Sequence, residues 1–499
     1  MRTTILTTLA AMLTLTVPGA ELFVAPSGAP YTSIQDALDD AGAGDTVTVR
    51  AGTYYERLYP PGGSAGGGFL TLRAYPGERV LLCGDNRHSS GDPHMIYIAD
   101  ASYIRIAGLH ICSNRATSAD GGSGIFIEGA GSHIAIVSNV IYHMLGTHGM
   151  GITVYGTSGT AISDLLLAWN TISNCEPATS EALTLNGNVR NFAVISNTVV
   201  DVNNIGIDFI GGETDINPSQ GARHGLCTGN RVIRARSSYG GGFAAGIYVD
   251  GGTDIVIERN VVSECDMGIE LGAENAGWDT TGIVVRSNLV YGNDKVGIVF
   301  GGYDAGVGRV RSCAIINNTI AMNNGLGLTG GDFHGEIIVQ YATGNAIPNN
   351  LVIVDTHGDR RALSEEAAAG NVDNRFDYNL YYCAGFTPVF QFGGAAYNGF
   401  ASYTNASGSD AHGMALNPEV VDAAAHDFHL TDASPAVNGG DPAPGQAYGE
   451  LDSGGDPRVM FGRVDIGAYE YVPEPATVLV SWLMVGCVAR RRRSGGAAQ

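Results

Sequence analysis

The stretch Ala245–Glu274 reads AGIYVDGGTDIVIERNVVSECDMGIELGAE. Twice within it a Gly-Ile pair opens an apolar and polar alternation that ends in acid, first as GIYVDGG and then as GIELGAE. Upstream the chain reads IGIDFIGG and downstream VGIVFGG, so one short pattern recurs with a changing residue at one position: Asp208, Tyr248, Glu270, Val299. Along a strand successive side chains point to opposite faces. The apolar residues on either side of that position therefore face a core, and the changing residue faces outward.

Asparagines mark the length of the repeat. They recur at Asn114, Asn139, Asn170, Asn197, Asn230, Asn260, Asn288, Asn318 and Asn350, most of them followed directly by β-branched or apolar residues, at separations of 25 to 33 residues. Identical side chains stacked one rung apart, about 4.8 Å, can hydrogen-bond along the axis of a coil. A rung this long is too long for two strands and suits three. The sequence thus predicts an all-β protein, a right-handed parallel β-helix of about ten rungs with three strands per rung, over residues 22–409. An amphipathic helix from Ser33 to about Asp40, before a strand from Thr46 to Arg50, is placed to cap its open N-terminal end. Residues 410–471, where the repeat fades, are read as a cap on the last rung.

Composition agrees. Seventy-two glycines among 499 residues, 15% charged and 44% hydrophobic residues indicate strands and turns, neither a helical bundle nor a disordered chain. A net charge of −22, with Lys295 the only lysine, excludes nucleic acid as a partner and favours divalent cations. A monomer is expected. Cys83, Cys112, Cys175, Cys227, Cys265, Cys313 and Cys383 form no CxxC pair; buried thiols with one or two disulfides are expected of them.

Residues 1–20, with one early arginine, an apolar centre and small residues at the end, read as a signal peptide cut near Ala20. At the other end, Pro473-Glu474-Pro475, an apolar run from Ala476 to Ala489 and Arg490–Arg493 resemble the PEP-CTERM sorting signal of Gram-negative bacteria, over residues 472–499. That resemblance implies export, transient anchoring in the inner membrane, cleavage by an exosortase and delivery to the cell surface or extracellular matrix. Ser434-Pro435-Ala436 and Asp465-Ile466-Gly467-Ala468-Tyr469-Glu470 resemble the choice-of-anchor region of surface β-helix proteins. The repeat itself, together with the TSIQDALDDAGAGDTVTVRAGTY stretch before it, resembles the pectate lyase-like superfamily of lyases, hydrolases, epimerases and tailspikes. This is a likeness of architecture, and activity does not follow from it.

Aligning the rungs on glycine gives one outward column, Phe126, Thr153, Thr184, Asp208, Tyr248, Glu270 and Val299, expected to be exposed, with its reactive part at mid-length. Asp250, Glu274, Asp304, Arg223 and His224 lie nearby in register. The insertion GGETDINPSQGARHG is expected to stand beside Asp208 as a cleft wall. β-Elimination on a uronic-acid polymer needs neutralisation of the sugar carboxylate, a base and an acid. Asp208, Asp250 and Glu270 are the candidate calcium ligands; Lys295, Arg223, His224 and Tyr248 are rival bases or acids. Two alternatives stand beside a polysaccharide lyase. Asp208 and Glu270, two rungs or about 9.6 Å apart, suit an inverting glycoside hydrolase, whose carboxyls sit roughly 6.5 to 9.5 Å apart. A non-catalytic polysaccharide-binding surface or matrix protein would use the same face.

Overall fold

The computed structural model describes residues 19–89, 91–117, 121–239, 241–443, 446–460 and 462–473. The signal-peptide reading, Gly19 and Ala20 apart, and the sorting signal beyond Pro473 lie outside the described residues. The chain winds as a parallel β-solenoid of about 12 turns, with sheets of 16, 13 and 12 strands along its sides. Each turn visits the third sheet, then the first, then the second: Ile96–Ala99, Ile104–Ala107 and His110–Ala116 are followed by Ile125–Glu128, Gly131–Val137 and Val140–Gly146.

The repeated Gly-Ile pair has a steric cause. The isoleucine column Ile125, Ile152, Ile207, Ile247, Ile269 and Ile298 is fully buried inside the coil. The preceding glycine sits at the corner where an inward residue of the second sheet fills the space. A Cβ on Gly246 would lie 2.3 Å from Val262 Cγ1, and one on Gly268 2.3 Å from Val290 Cγ1.

The asparagine ladder forms at the corner between the first and second sheets. Asn139 Nδ2 donates to Asn170 Oδ1 at 3.1 Å, Asn170 to Asn197 at 3.0 Å, and the chain continues through Asn230, Asn260, Asn288, Asn318 and Asn350 to Asn379. Each amide also donates to a carbonyl one rung back, as Asn170 does to Ile136 at 2.9 Å. Each carboxamide oxygen also accepts the backbone N–H of the previous ladder residue, as Asn170 Oδ1 does from Asn139 N at 3.0 Å. The residue before each asparagine takes positive φ, 56° at Ser138, 57° at Trp169 and 52° at Ser287, which turns the chain sharply. The ladder ends on Asp410, whose Oδ1 accepts from Asn379 Nδ2 at 2.9 Å and whose Oδ2 accepts from Tyr381 at 2.7 Å. Asn114 is not a member. Leu109 holds its place in that rung, and the Asn114 amide donates to Pro93 O instead.

The N-terminal helix spans Ile34–Asp40 and inserts Ile34, Ala37 and Leu38 into the open end of the coil. The Glu56 carboxylate accepts from the Ile34 and Gln35 backbone N–H groups, satisfying the first turn. The other end is closed by a hairpin, Val389–Phe392 with Ala395–Asn398, and by the helix Phe400–Ser407, whose buried Tyr403 stacks on Phe390 at 4.6 Å. The expected cap at 410–471 is therefore corrected. Beyond Met414–Ala415, which extend the second sheet, the tail packs Phe428, Leu430, Ala436, Ile466 and Ala468 on Leu289, Ala321, Leu351 and Leu380, along the side of the last rungs. Arg458, fully buried, pins it by pairing with Glu470 at 2.5 Å and donating to Ser287 Oγ at 3.3 Å. All seven described cysteines are free thiols in this structure.

Replacing Asn170 by alanine removes the acceptor of Asn139 N and the donor to Ile136 O together. Buried groups left unpaired cost about 1–3 kcal/mol each, so N170A should lose on the order of 3 kcal/mol in urea unfolding with its far-ultraviolet dichroism unchanged.

Candidate active site

The predicted column exists in the predicted register. Tyr97, Phe126, Thr153, Thr184, Asp208, Tyr248, Glu270, Val299 and Ile338 are successive partners on the third sheet. Its exposure is the correction. Thr153 and Thr184 are fully buried, Asp208 is 1% exposed and Tyr248 4%, while Glu270 remains partly accessible. The column points away from the coil axis but lies under loops and neighbouring side chains. Thr153, for example, is covered by hydrogen bonds with Ser123 at 2.8 Å and with the Met150 sulfur at 3.5 Å.

Two features build the cover at mid-length. The first is Trp278, whose indole N–H donates to Gly251 O at 2.6 Å. A Cβ on Gly211, Gly212 or Gly251 would fall within 2.5–2.6 Å of a Trp278 atom, so these glycines are the bed of the indole. The second is the segment around Ser237–Phe243. Asp266 Oδ2 accepts from the Ser237 and Ala244 backbone N–H groups, at 2.8 and 3.0 Å, and Tyr239 donates to Asn204 Oδ1 at 3.2 Å. Lys295 clamps this segment: its ammonium donates to Gly241 O and lies 3.8 Å from the centre of the Phe243 ring. The lone lysine is thus engaged in holding a wall, and it is not poised as a base.

Arg223 and His224 belong to the first sheet. Arg223 donates to Asn188 Oδ1 and Gly221 O, and His224 faces Asp254 at 3.5 Å; neither lines the cavity described below. Asp304 accepts from Gly306 N in its own exposed turn. The GGETDINPSQGARHG insertion does not wall Asp208 as expected. It folds back toward earlier rungs, where Asn217 donates to Gly156 O at 3.1 Å and Glu213 accepts from Asn186.

Between these covers lies a cavity of about 470 Å³, lined by Asn204, Ser237, Tyr239, Phe243, Tyr248, Met267, Glu270, Glu274, Tyr303, Phe333 and Gln340 among others. Its rim carries exposed aromatic rings, Tyr303 at 63%, Phe243 at 50% and Tyr239 at 46%. Such rings suit the apolar faces of sugars. Among the described residues no arginine, lysine or histidine lines it. Tyr248 donates to Glu274 Oε1 at 3.1 Å, and the Glu274 backbone N–H donates to Asp250 Oδ1 at 2.7 Å, so one turn joins the two acids to the tyrosine.

The acids at mid-length raise one another. Burial pushes the Glu270 carboxyl up to about 8, with Glu274 and Asp250 adding to it. Burial lifts Asp250 to about 7, helped by Glu274. Asp208 is driven well above the carboxylate range by burial and by Glu181 and Asp250. Glu181, which accepts from Ser180 at 3.1 Å, rises to about 8 by burial against Glu213 and Asp250. Among the described residues no three His, Cys, Asp or Glu side chains converge as metal ligands. Asp208 Oδ1 accepts from Phe209 N at 2.7 Å.

Sequence reasoning missed Glu181, Glu213, Asp266 and the aromatic wall of Tyr239, Phe243, Tyr303 and Phe333. Glu181 carried a signal, since it opens the strand Glu181–Gly187 aligned with the other rungs. The wall residues lie in connections outside the repeat and carried none.

These acids also set a pH dependence of stability. Their folded pKa values lie above ordinary carboxylate values, so between about pH 4.5 and 8 the folded chain holds protons that the unfolded chain has released. Stability is then fully present at the acid end and is lost as pH rises. The melting temperature should fall from pH 5 to pH 8, and Glu181→Gln and Glu270→Gln should each flatten the fall in a series of thermal scans.

Residues 94–320 match the family described as right handed beta helix region. The chain is 34% identical to the protein YwoF of Bacillus subtilis (strain 168) over 446 residues, covering 84% of this chain and 92% of that one. It is 27% identical to pectate lyase PEL9 of Emericella nidulans over 183 residues, 32% of this chain and 41% of that one. Among solved structures, pectate lyase Pel9A aligns with a TM-score of 0.44 and 13% identity over 92% of this chain and 98% of its own. The GH136 lacto-N-biosidase from Eubacterium ramulus aligns with a TM-score of 0.46 and 13% identity over 80% and 67%. On its sequence and its stacked parallel rungs, the chain belongs to the right-handed β-helix family.

Proposed function

We propose that this β-helix protein cleaves a polysaccharide by hydrolysis in the cavity beneath Tyr303, with Glu270 as general acid and Glu274 as the carboxylate that activates water or attacks the sugar. The observation that carries this reading is a pair of carboxyls in unlike surroundings within one aromatic-lined cavity. Glu270 is half-buried and keeps its proton up to about pH 8, whereas Glu274 is exposed at the rim. Two acids held apart by their environments are the equipment of glycosidic cleavage. Tyr248, between them, orients Glu274 through its hydroxyl. Asp208 is sealed beneath and does not line the cavity, so the pair expected from sequence, Asp208 with Glu270, gives way to Glu270 with Glu274.

The acidic lining favours an uncharged glycan, because a uronate would meet the Glu274 carboxylate with no cationic side chain among the described lining residues to offset it. β-Elimination is the second reading, favoured by the identity shared with the fungal pectate lyase; it calls for a carboxylate-neutralising group from outside the cavity lining. Export and sorting to the cell surface belong to the same proposal, supported by the leader-like N-terminus and the Pro473-Glu474-Pro475 tail.

The test is incubation of the protein with neutral and uronic-acid polysaccharides. New reducing ends without a rise in ultraviolet absorbance support hydrolysis. A rise in absorbance on uronates overturns it in favour of elimination, and binding without cleavage overturns both. Glu270→Gln and Glu274→Gln should each lower kcat by about 100- to 10,000-fold. Asp208→Asn should leave kcat within a few-fold of the parent, since this acid touches no substrate in the proposed geometry.

A further inference from the structure

Of the seven described cysteines, six are buried and Cys83 alone is partly accessible. Its partner in register on the neighbouring strand is another cysteine: Cys83 of Val80–Arg87 pairs with Cys112 of His110–Ala116. No other two described cysteines are strand partners; Cys175 pairs with Val202, Cys227 with Val194 and Ile257, and Cys383 with Val354. The preceding pair, Leu82 and Ile111, is fully buried in the core, so alternation turns both thiols to the outer face of the second sheet.

In-register neighbours on parallel strands stand about 4.8 Å apart at Cα, inside the roughly 4.4 to 6.8 Å that a disulfide spans. Slack to adjust is present, because the register slips directly after Cys83, where Asp85 and Asn86 both hold φ near 54°. We infer that Cys83 and Cys112 are a disulfide site, closed by a small or protein disulfide oxidant and joining two successive rungs at the N-terminal end of the coil.

The order of steps follows from access. The Cys83 thiolate, which the Asp85 backbone N–H can support from 3.4 Å, attacks a sulfur of the oxidant and expels one thiol. The Cys112 thiolate then attacks Cys83 Sγ and expels the second. Two protein thiols lose two protons and two electrons, and one oxidant disulfide is reduced to two thiols. Cys112 is suited to the second role, since burial raises its thiol and the Tyr142 hydroxyl of the next rung covers it. Arg79 in turn donates to that hydroxyl at 3.3 Å.

The experiment uses the full chain, which holds eight cysteines. After equilibration with oxidised glutathione, thiols titrated under denaturing conditions should fall from eight to six, and peptide mapping should find Cys83 joined to Cys112. The oxidised protein should melt several degrees higher than the reduced one, because the bridge restricts the unfolded chain. In Cys83→Ser, all seven thiols should survive the same treatment and the difference in melting should vanish. Eight thiols retained in the parent, or glutathione left on Cys83, would overturn the assignment. If Cys83→Ser does not fold, the peptide map of the parent decides alone.

Discussion

The molecule depends on a column of carboxamides held where there is no water. Each ladder asparagine accepts from the rung before it, donates to the rung after it and also closes a backbone carbonyl, so a corner that bends through positive φ still pairs its amides. In a dry interior an unpaired amide is more costly than a paired one is favourable. That asymmetry makes the ladder a device for register: a slip of one residue would strand several donors at every corner at once. Where asparagines run out, an acid takes over as terminator, and Asp410 accepts from both Asn379 and Tyr381.

A fixed register decides how a site can be assembled. Side chains that are neighbours in space come from successive turns, so Asp208, Tyr248 and Glu270 are brought side by side by the pitch of the coil and by nothing local to them. The coil supplies a flat, regular face, and a flat face gives no enclosure. Enclosure comes from the connections: the indole of Trp278 on its glycine bed, and the segment that Asp266 holds at its two ends and Lys295 near its middle. Covering a row of acids takes them out of water, and their protons stay on. The fold thereby turns ordinary carboxylates into acids that remain protonated near neutral pH.

This division explains what could be read from sequence. The column was legible residue by residue, because alternation about Gly-Ile fixes which side chain points outward and the glycine is compelled by Val262 or Val290 at the corner. Whether that column is wet was not legible, since Trp278 and Phe243 reach it from connections that follow no repeat. Asn114 looked like a ladder member because Ser before Asn also occurs at Asn139, Asn197 and Asn288; only pairing shows that Leu109 holds that place. Asn379 and Glu181 were overlooked for the converse reason, a correct position in a less typical setting. The C-terminal segment reads as a cap by its position in the chain, yet Arg458 and Glu470 are buried against the side of the coil, a contact spanning some 170 residues that no local pattern announces.

The reassignment of Lys295 shows how charge is allotted in such a protein. In a chain of net charge −22, a solitary ammonium near a row of acids invites a catalytic reading. An ammonium drawn into that row would neutralise the acids and lower their pKa values. Placed instead over Phe243 and on Gly241 O, it stabilises the wall through a cation–π contact and leaves the acids to repel one another. Burial is the first cause of the raised Glu270 carboxyl, with Glu274 and Asp250 adding to it, and Lys295, engaged over Phe243, does not offset them.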